Sequence, residues 1–131
     1  MSWVAYFLIF VVAHEVGDFA FQTDHQAVNK HNGLSRDPTA RKALFGHVAT
    51  YSLPFVAASV WIARERPLGL TVLVFVLIVL EHLIQDDGRL LAAYCRRVKG
   101  LDIIKVPSVG VWVDQSFHLL ALFGAALLLT V

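Results

Sequence analysis

The sequence predicts an all-α fold, a four-helix transmembrane bundle forming one domain over residues 1–131, and three observations predict it. Composition is the first: 57% of the 131 residues are apolar and 16% are charged, where a water-soluble domain carries about a quarter charged. Mean hydropathy is correspondingly high, +0.65. The second is distribution, because the apolar residues gather into four runs, each near the roughly 20 residues a bilayer crossing needs. The third is that two polar stretches, 23–42 and 89–105, alternate with a short turn between the runs. Four spans leave no length for a separate soluble catalytic domain, so any chemistry is built on the helices or at their ends. A formal net charge of +1 argues against a nucleic-acid-binding module. The single cysteine, Cys95, excludes a disulfide scaffold.

The first span is expected at about 3–22. It lacks a basic start and a small-x-small cleavage site, so it reads as a retained helix rather than a signal peptide. The second, about 43–63, follows the basic pair Arg41 and Lys42 and carries Pro54 in its middle, which membrane helices tolerate with a kink. The third, about 67–90, opens on Pro67, a favoured first helical residue, and its polar continuation to Arg97 is expected to be helical outside the bilayer. The fourth runs from Pro107 to Val131. If the spans alternate, the two polar connections share a side. They hold Lys30, Arg36, Arg41, Lys42, Arg89, Arg96, Arg97, Lys99 and Lys105, against Arg64 and Arg66 opposite. The positive-inside rule then places both loops in the cytoplasm and both termini outward, in a multi-pass inner (plasma) membrane protein. Trp3 and Trp61 fall at the outer interface and Trp112 near the inner one, as aromatic belts prefer.

Ionisable groups inside apolar helices are costly and need a partner or a function. Here they share one spacing: His14 and Asp18, His82 and Asp86, Asp114 and His118 are each four residues apart, which sets both side chains on one helix face. His47 is the contribution of the second span. From the rise of about 1.5 Å per residue, all seven lie roughly 2 to 12 Å to the cytoplasmic side of the bilayer centre. Imidazole and carboxylate together suit zinc, manganese or iron, and paired ligands from a helical bundle hold one or two such ions. Zinc leads this expectation. Seven candidates exceed the four of a tetrahedral site, so two metals, or one metal with orienting aspartates around it, both fit. The alternative is a metal-free His–Asp hydrogen-bonded network that ties the helices together.

The polar faces extend further. Gln22 and Arg89 continue them toward the cytoplasmic surface, Gln115 sits beside Asp114, and Lys30 opens the first connection. Lys30 and Arg89 form a candidate site for a phosphate or carboxylate, with Gln22 and Gln115 as further substrate contacts; an ordinary basic rim is the competing explanation. His14-Glu15-x-x-Asp18 looks like the metalloprotease HExxH with its last histidine replaced, but Glu15 is one step off the ligand face. Glu81 beside His82 shares that ambiguity. His25 and His31 are expected to be solvated, Cys95 a bystander thiol, and Asp87 and Asp102 ordinary surface acids.

HEVGDFAFQTD followed by Lys30, then His47, HLIQDDGR and VDQSFH together resemble the domain of unknown function 3307 family of small bacterial membrane proteins, in the right order over nearly the whole chain. The resemblance makes His14, Asp18, Phe19, Gln22, Lys30, His47, His82, Asp86, Asp114, Gln115 and His118 signature positions. Arg89 stands where a lysine is usual and Glu15 where an apolar residue is usual, which weakens the metalloprotease pattern. The family brings no established reaction.

The expected function is a metal-dependent hydrolase acting on an anionic, phosphate-bearing lipid or nucleotide that arrives from the cytoplasmic side. One of Asp18, Asp86 or Asp114 is the proton acceptor for a metal-activated water. An ion or proton transporter and a non-catalytic membrane subunit or sensor are the other two classes, and a homo-oligomer or protein partner is compatible with each. Transport needs polar groups in the outer half, where the spans offer few. The aspartates argue against haem.

Overall fold

A computed structural model describes residues 1–103 and 105–131. Its helices are α1 (Trp3–Glu15, running on into a π-helical turn, Val16–Ala20), α2 (Asp24–Asn29), α3 (Pro38–Ile62), α4 (Leu68–Asp86), α5 (Arg89–Arg97) and α6 (Pro107–Leu128). Among the described residues there is no strand. The four long helices, α1 with its π turn, α3, α4 and α6, are long and apolar enough to cross a membrane. They close a ring in which α1 packs on α3, α3 on α4, α4 on α6, and α6 on α1.

The helix limits differ from those expected, for local reasons. α3 starts at Pro38 rather than near 43. Asp37 caps it, its Oδ1 accepting from the backbone N–H groups of Thr39 (2.8 Å) and Ala40 (3.4 Å), and Pro38 takes the first position, where its missing N–H costs nothing. Hydropathy marks the apolar run, and the helix begins before it. α3 also continues through Pro54. α4 stops at Asp86 rather than about 90 because Gly88 adopts φ 77°, a left-handed conformation that ends helices and favours glycine; α5 then starts as a separate helix. α6 ends at Leu128 rather than at Val131. In the polar stretch after α1, Thr23 and Gln26 form a capping box: Gln26 N–H donates to Thr23 Oγ1 (3.3 Å) and Thr23 N–H to Gln26 Oε1 (2.9 Å). That reciprocal pair nucleates α2.

In the half of the bundle nearest the α3–α4 turn, Tyr6, Phe10, Phe55, Ile62, Val74 and Leu129 form a dry core with Tyr51, Ile78 and Leu122. The outward faces are apolar too: Leu8, Val12, Leu53, Val60 and Leu120 are each more than half exposed, the reverse of a water-soluble amphipathic helix. Trp3 and Trp61 are exposed near the turn and Trp112 near the opposite end. At Gly17, in the π turn, a Cβ would lie 2.9 Å from both the backbone oxygen and Cδ2 of Tyr51. Only glycine lets α1 approach α3 this closely, and the next residue is Asp18.

Candidate metal centre

The four long helices each bring ionisable side chains to the other half of the bundle, where the two polar connections lie. His14, His47, His82 and His118 are wholly buried, and Asp18 and Asp86 are 3% and 2% exposed. The i,i+4 pairs face inward because their helices' remaining faces are apolar and turned outward. The π turn adds a residue to the turn that carries Asp18; its mark is the Phe21 N–H bonded to Val16 O (3.0 Å). Asp18 and His14 thus lie 3.9 Å apart, while Asp18 comes closer to His47.

Two groups of ligand atoms converge. In the first, His47 Nε2 is 3.1 Å from His82 Nε2, 3.1 Å from Asp18 Oδ1 and 2.9 Å from Asp86 Oδ2. His82 Nε2 is 3.2 Å from Asp86 Oδ2 and 4.0 Å from Asp18 Oδ1. In the second, His118 Nε2 lies 3.5 Å from Asp86 Oδ1 and 3.6 Å from Asp114 Oδ2. Asp86 belongs to both groups and turns a different oxygen to each. Buried atoms here lack hydrogen-bond partners: Asp18 Oδ1, Nε2 and Nδ1 of His118, and Nδ1 of His47 and His82. Buried polar atoms are normally paired, so the protein's own groups do not close this network.

A third combination, His14 with His82 and His118, also places ligand atoms within 4.8 Å of one another. His14 is already engaged. Gln115 Oε1 can only accept, so His14 Nε2–H donates to it (2.9 Å); His14 Nδ1 then accepts from the Tyr51 hydroxyl (3.2 Å), and Gln115 Nε2 donates to Asp18 Oδ2 (3.1 Å). This directed chain, Tyr51 to His14 to Gln115 to Asp18, orients the carboxylate. Tyr51 also stacks on His82 with ring centroids 3.4 Å apart and planes 2° from parallel. Sequence reasoning missed Tyr51. Its signal was the spacing from His47, four residues, which puts both on one face of α3.

The expected anion-binding pair is divided, Lys30 lying within the centre and Arg89 at a separate cavity. Lys30, rather than standing at a rim, is 8% exposed, with Nζ 2.7 Å from Asp86 Oδ2 and 3.6 Å from Asp18 Oδ1. Arg89 donates from Nε to Asp87 Oδ2. Asp87 is no surface acid: it is 3% exposed, its Oδ1 accepts from Leu34 N–H (2.8 Å) and its backbone oxygen from Asn32 N–H (2.9 Å). It thereby clamps the turn after Lys30 onto the end of α4. Arg89, Arg96, His31 and Asp87 line a cavity of about 540 Å³. Gln22 is half-buried, its Oε1 unpaired. Glu81 Oε1 sits 3.6 Å from His118 Nδ1, a placement suited to orienting that ring. Glu15, His25 and His31 are exposed, and Cys95 is buried in α5.

A family model described as "Protein of unknown function (DUF3307)" matches residues 6–131. The chain belongs to the DUF3307 family. No curated protein and no solved structure matches it. In this DUF3307 chain the positions marked by the sequence resemblance separate by place. His14, Asp18, Lys30, His47, His82, Asp86, Asp114, Gln115 and His118 meet at the centre, while Phe19 is 56% exposed on the outside.

Proposed function

We propose that this chain is an integral membrane protein holding a divalent metal, zinc before manganese or iron, and that the centre hydrolyses an anionic substrate reaching it from the cytoplasmic side. The first ligand group carries the reading. Ligand atoms about 2.0–2.1 Å from a tetrahedral zinc stand about 3.3 Å from one another. Five of the six separations among His47 Nε2, His82 Nε2, Asp18 Oδ1 and Asp86 Oδ2 are 2.9, 3.1, 3.1, 3.2 and 4.0 Å. Asp86, Asp114 and His118 offer a second position. His14 is better suited to orienting Asp18 than to ligation, since both its nitrogens are engaged. Membrane insertion is supported by the apolar outward faces, and the cytoplasmic placement of both polar loops by their excess of Lys and Arg.

A bound divalent ion would supply Lewis acidity and an activated water. Asp114, whose side chain is 21% exposed, is the acid best placed to exchange a proton with solvent. Arg89 and Arg96, at the cavity beside Asp87, are the cations that would receive a lipid or nucleotide phosphate. Transport is disfavoured by the dry core beyond the centre. Hydroxyls there are consumed locally, Ser52 by Val48 O (2.7 Å) and Thr71 by Pro67 O (3.2 Å). The Lys30 ion pairs favour one second reading, a metal-free network in which lysine is the permanent counter-ion.

Metal content of detergent-purified protein, measured beside hydrolysis of phosphomonoesters and phosphodiesters, tests the proposal. About one or two equivalents of metal, with hydrolysis lost on chelation and regained on zinc addition, is the expected result. Folded protein without metal overturns the metal reading, and metal without hydrolysis leaves a structural centre.

A further inference from the structure

We propose that the Lys30 ammonium is the resident counter-ion of the Asp18, His47, His82 and Asp86 position, and that a divalent cation binding there displaces it. The inference rests on the metal-centre reading and deepens it by assigning the group the metal competes with. Lys30 Nζ touches the two carboxylate oxygens that belong to the tetrahedral set, Asp86 Oδ2 at 2.7 Å and Asp18 Oδ1 at 3.6 Å. Both imidazoles approach the same oxygens. One ammonium beside two carboxylates leaves the buried set negative. A divalent ion in its place makes it neutral, and both together make it positive, with two cations sharing one pair of oxygens. Burial penalises every arrangement but the neutral one.

The geometry gives the lysine freedom to leave. Its backbone is fixed, since Lys30 N–H donates to Gln26 O (3.0 Å) and Asp87 holds Asn32 and Leu34 just beyond it. Its ammonium is a compact charge on a flexible four-carbon stem, so the head can move while the turn stays. Asp18 Oδ1 has no hydrogen bond although Lys30, His47 and His82 all stand near it, and neither has the wholly buried His118 Nε2 opposite. Lys30 therefore balances charge here without completing the coordination of the acids.

Zinc titration in detergent against a chromogenic chelator, comparing wild type with Lys30→Met and Lys30→Arg, tests the competition. Lys30→Met is expected to bind zinc about tenfold more tightly or better, with Lys30→Arg no tighter than wild type. Equal or weaker binding by folded Lys30→Met overturns the inference. A second measurement needs no variant: acetylation of Lys30 in the wild type, followed by mass spectrometry, is expected to rise several-fold when zinc is added. Stoichiometric zinc binding with unchanged Lys30 reactivity overturns the inference and leaves the metal centre standing. Failure of every form to bind zinc overturns both.

Discussion

Asp86→Ala is expected to abolish stoichiometric metal binding and to lower the stability of the bundle by about 3–5 kcal/mol, the cost of breaking a buried ion pair from one side. Asp86 is the last residue of α4, and its two oxygens meet groups from three other elements: Lys30 at 2.7 Å, His47 at 2.9 Å and His118 at 3.5 Å. Within α4 itself His82 is at 3.2 Å. Removing the carboxylate strips a ligand from both candidate positions and leaves Lys30 with Asp18 as its remaining acid in the centre. Thermal unfolding in detergent is expected to shift down by about 10 °C or more. Asp86→Asn separates charge from packing: it keeps the volume and one oxygen acceptor but removes the charge, so metal is still lost and the stability loss that remains, smaller than for Asp86→Ala, is the share due to the broken ion pair. Asp86→Ala protein that melts like wild type and retains metal would show that the carboxylate is peripheral.

Gly17→Val is expected to cost about 3 kcal/mol, at the upper end of overpacking, and to weaken metal binding although residue 17 carries no ligand. A Cβ at this position already lies within 2.9 Å of the Tyr51 backbone oxygen, and backbone cannot swing aside as a flexible side-chain end can. Relief requires α1 and α3 to separate or the π turn to rewind. Either motion moves Asp18 away from His47 and Tyr51 away from the His82 ring on which it stacks. The check is a joint one, a lowered melting midpoint in detergent together with reduced zinc affinity. A stable Gly17→Val protein with unchanged affinity would mean that the close approach does not position the site.

Much of this arrangement was legible in the sequence, and the reasons differ by residue. The four long helices were visible because each carries an apolar run of membrane-crossing length. The inward His and Asp residues were visible because an ionisable group stands out against that background and the i,i+4 spacing is a helical constant. Lys30 was visible as a residue but not as a member of the centre, since its place depends on how α2 and the Asp87-held turn fold back over the bundle, and nothing local encodes that. Asp87 was misjudged for the same reason: beside Asp86 and Gly88 it looks like a solvated end, and its burial comes from a partner segment more than 50 residues away. Tyr51 was hidden because an aromatic ring in an apolar run carries no contrast. The early start of α3 was readable from Asp37-Pro38, a capping signal that hydropathy does not weigh. The π turn at Val16–Ala20 has no sequence pattern of its own; Gly17 is its one trace, and only the Tyr51 backbone beside it gives that glycine a meaning.

X-ray absorption at the zinc edge of the zinc-loaded protein in detergent tests the convergence of the four helices most directly. The account predicts a first shell of nitrogen and oxygen at about 2.0–2.1 Å with outer-shell scattering from at least two imidazole rings and no sulfur. An oxygen-only shell without imidazole scattering, or a zinc–sulfur distance of about 2.3 Å reporting Cys95, would contradict it.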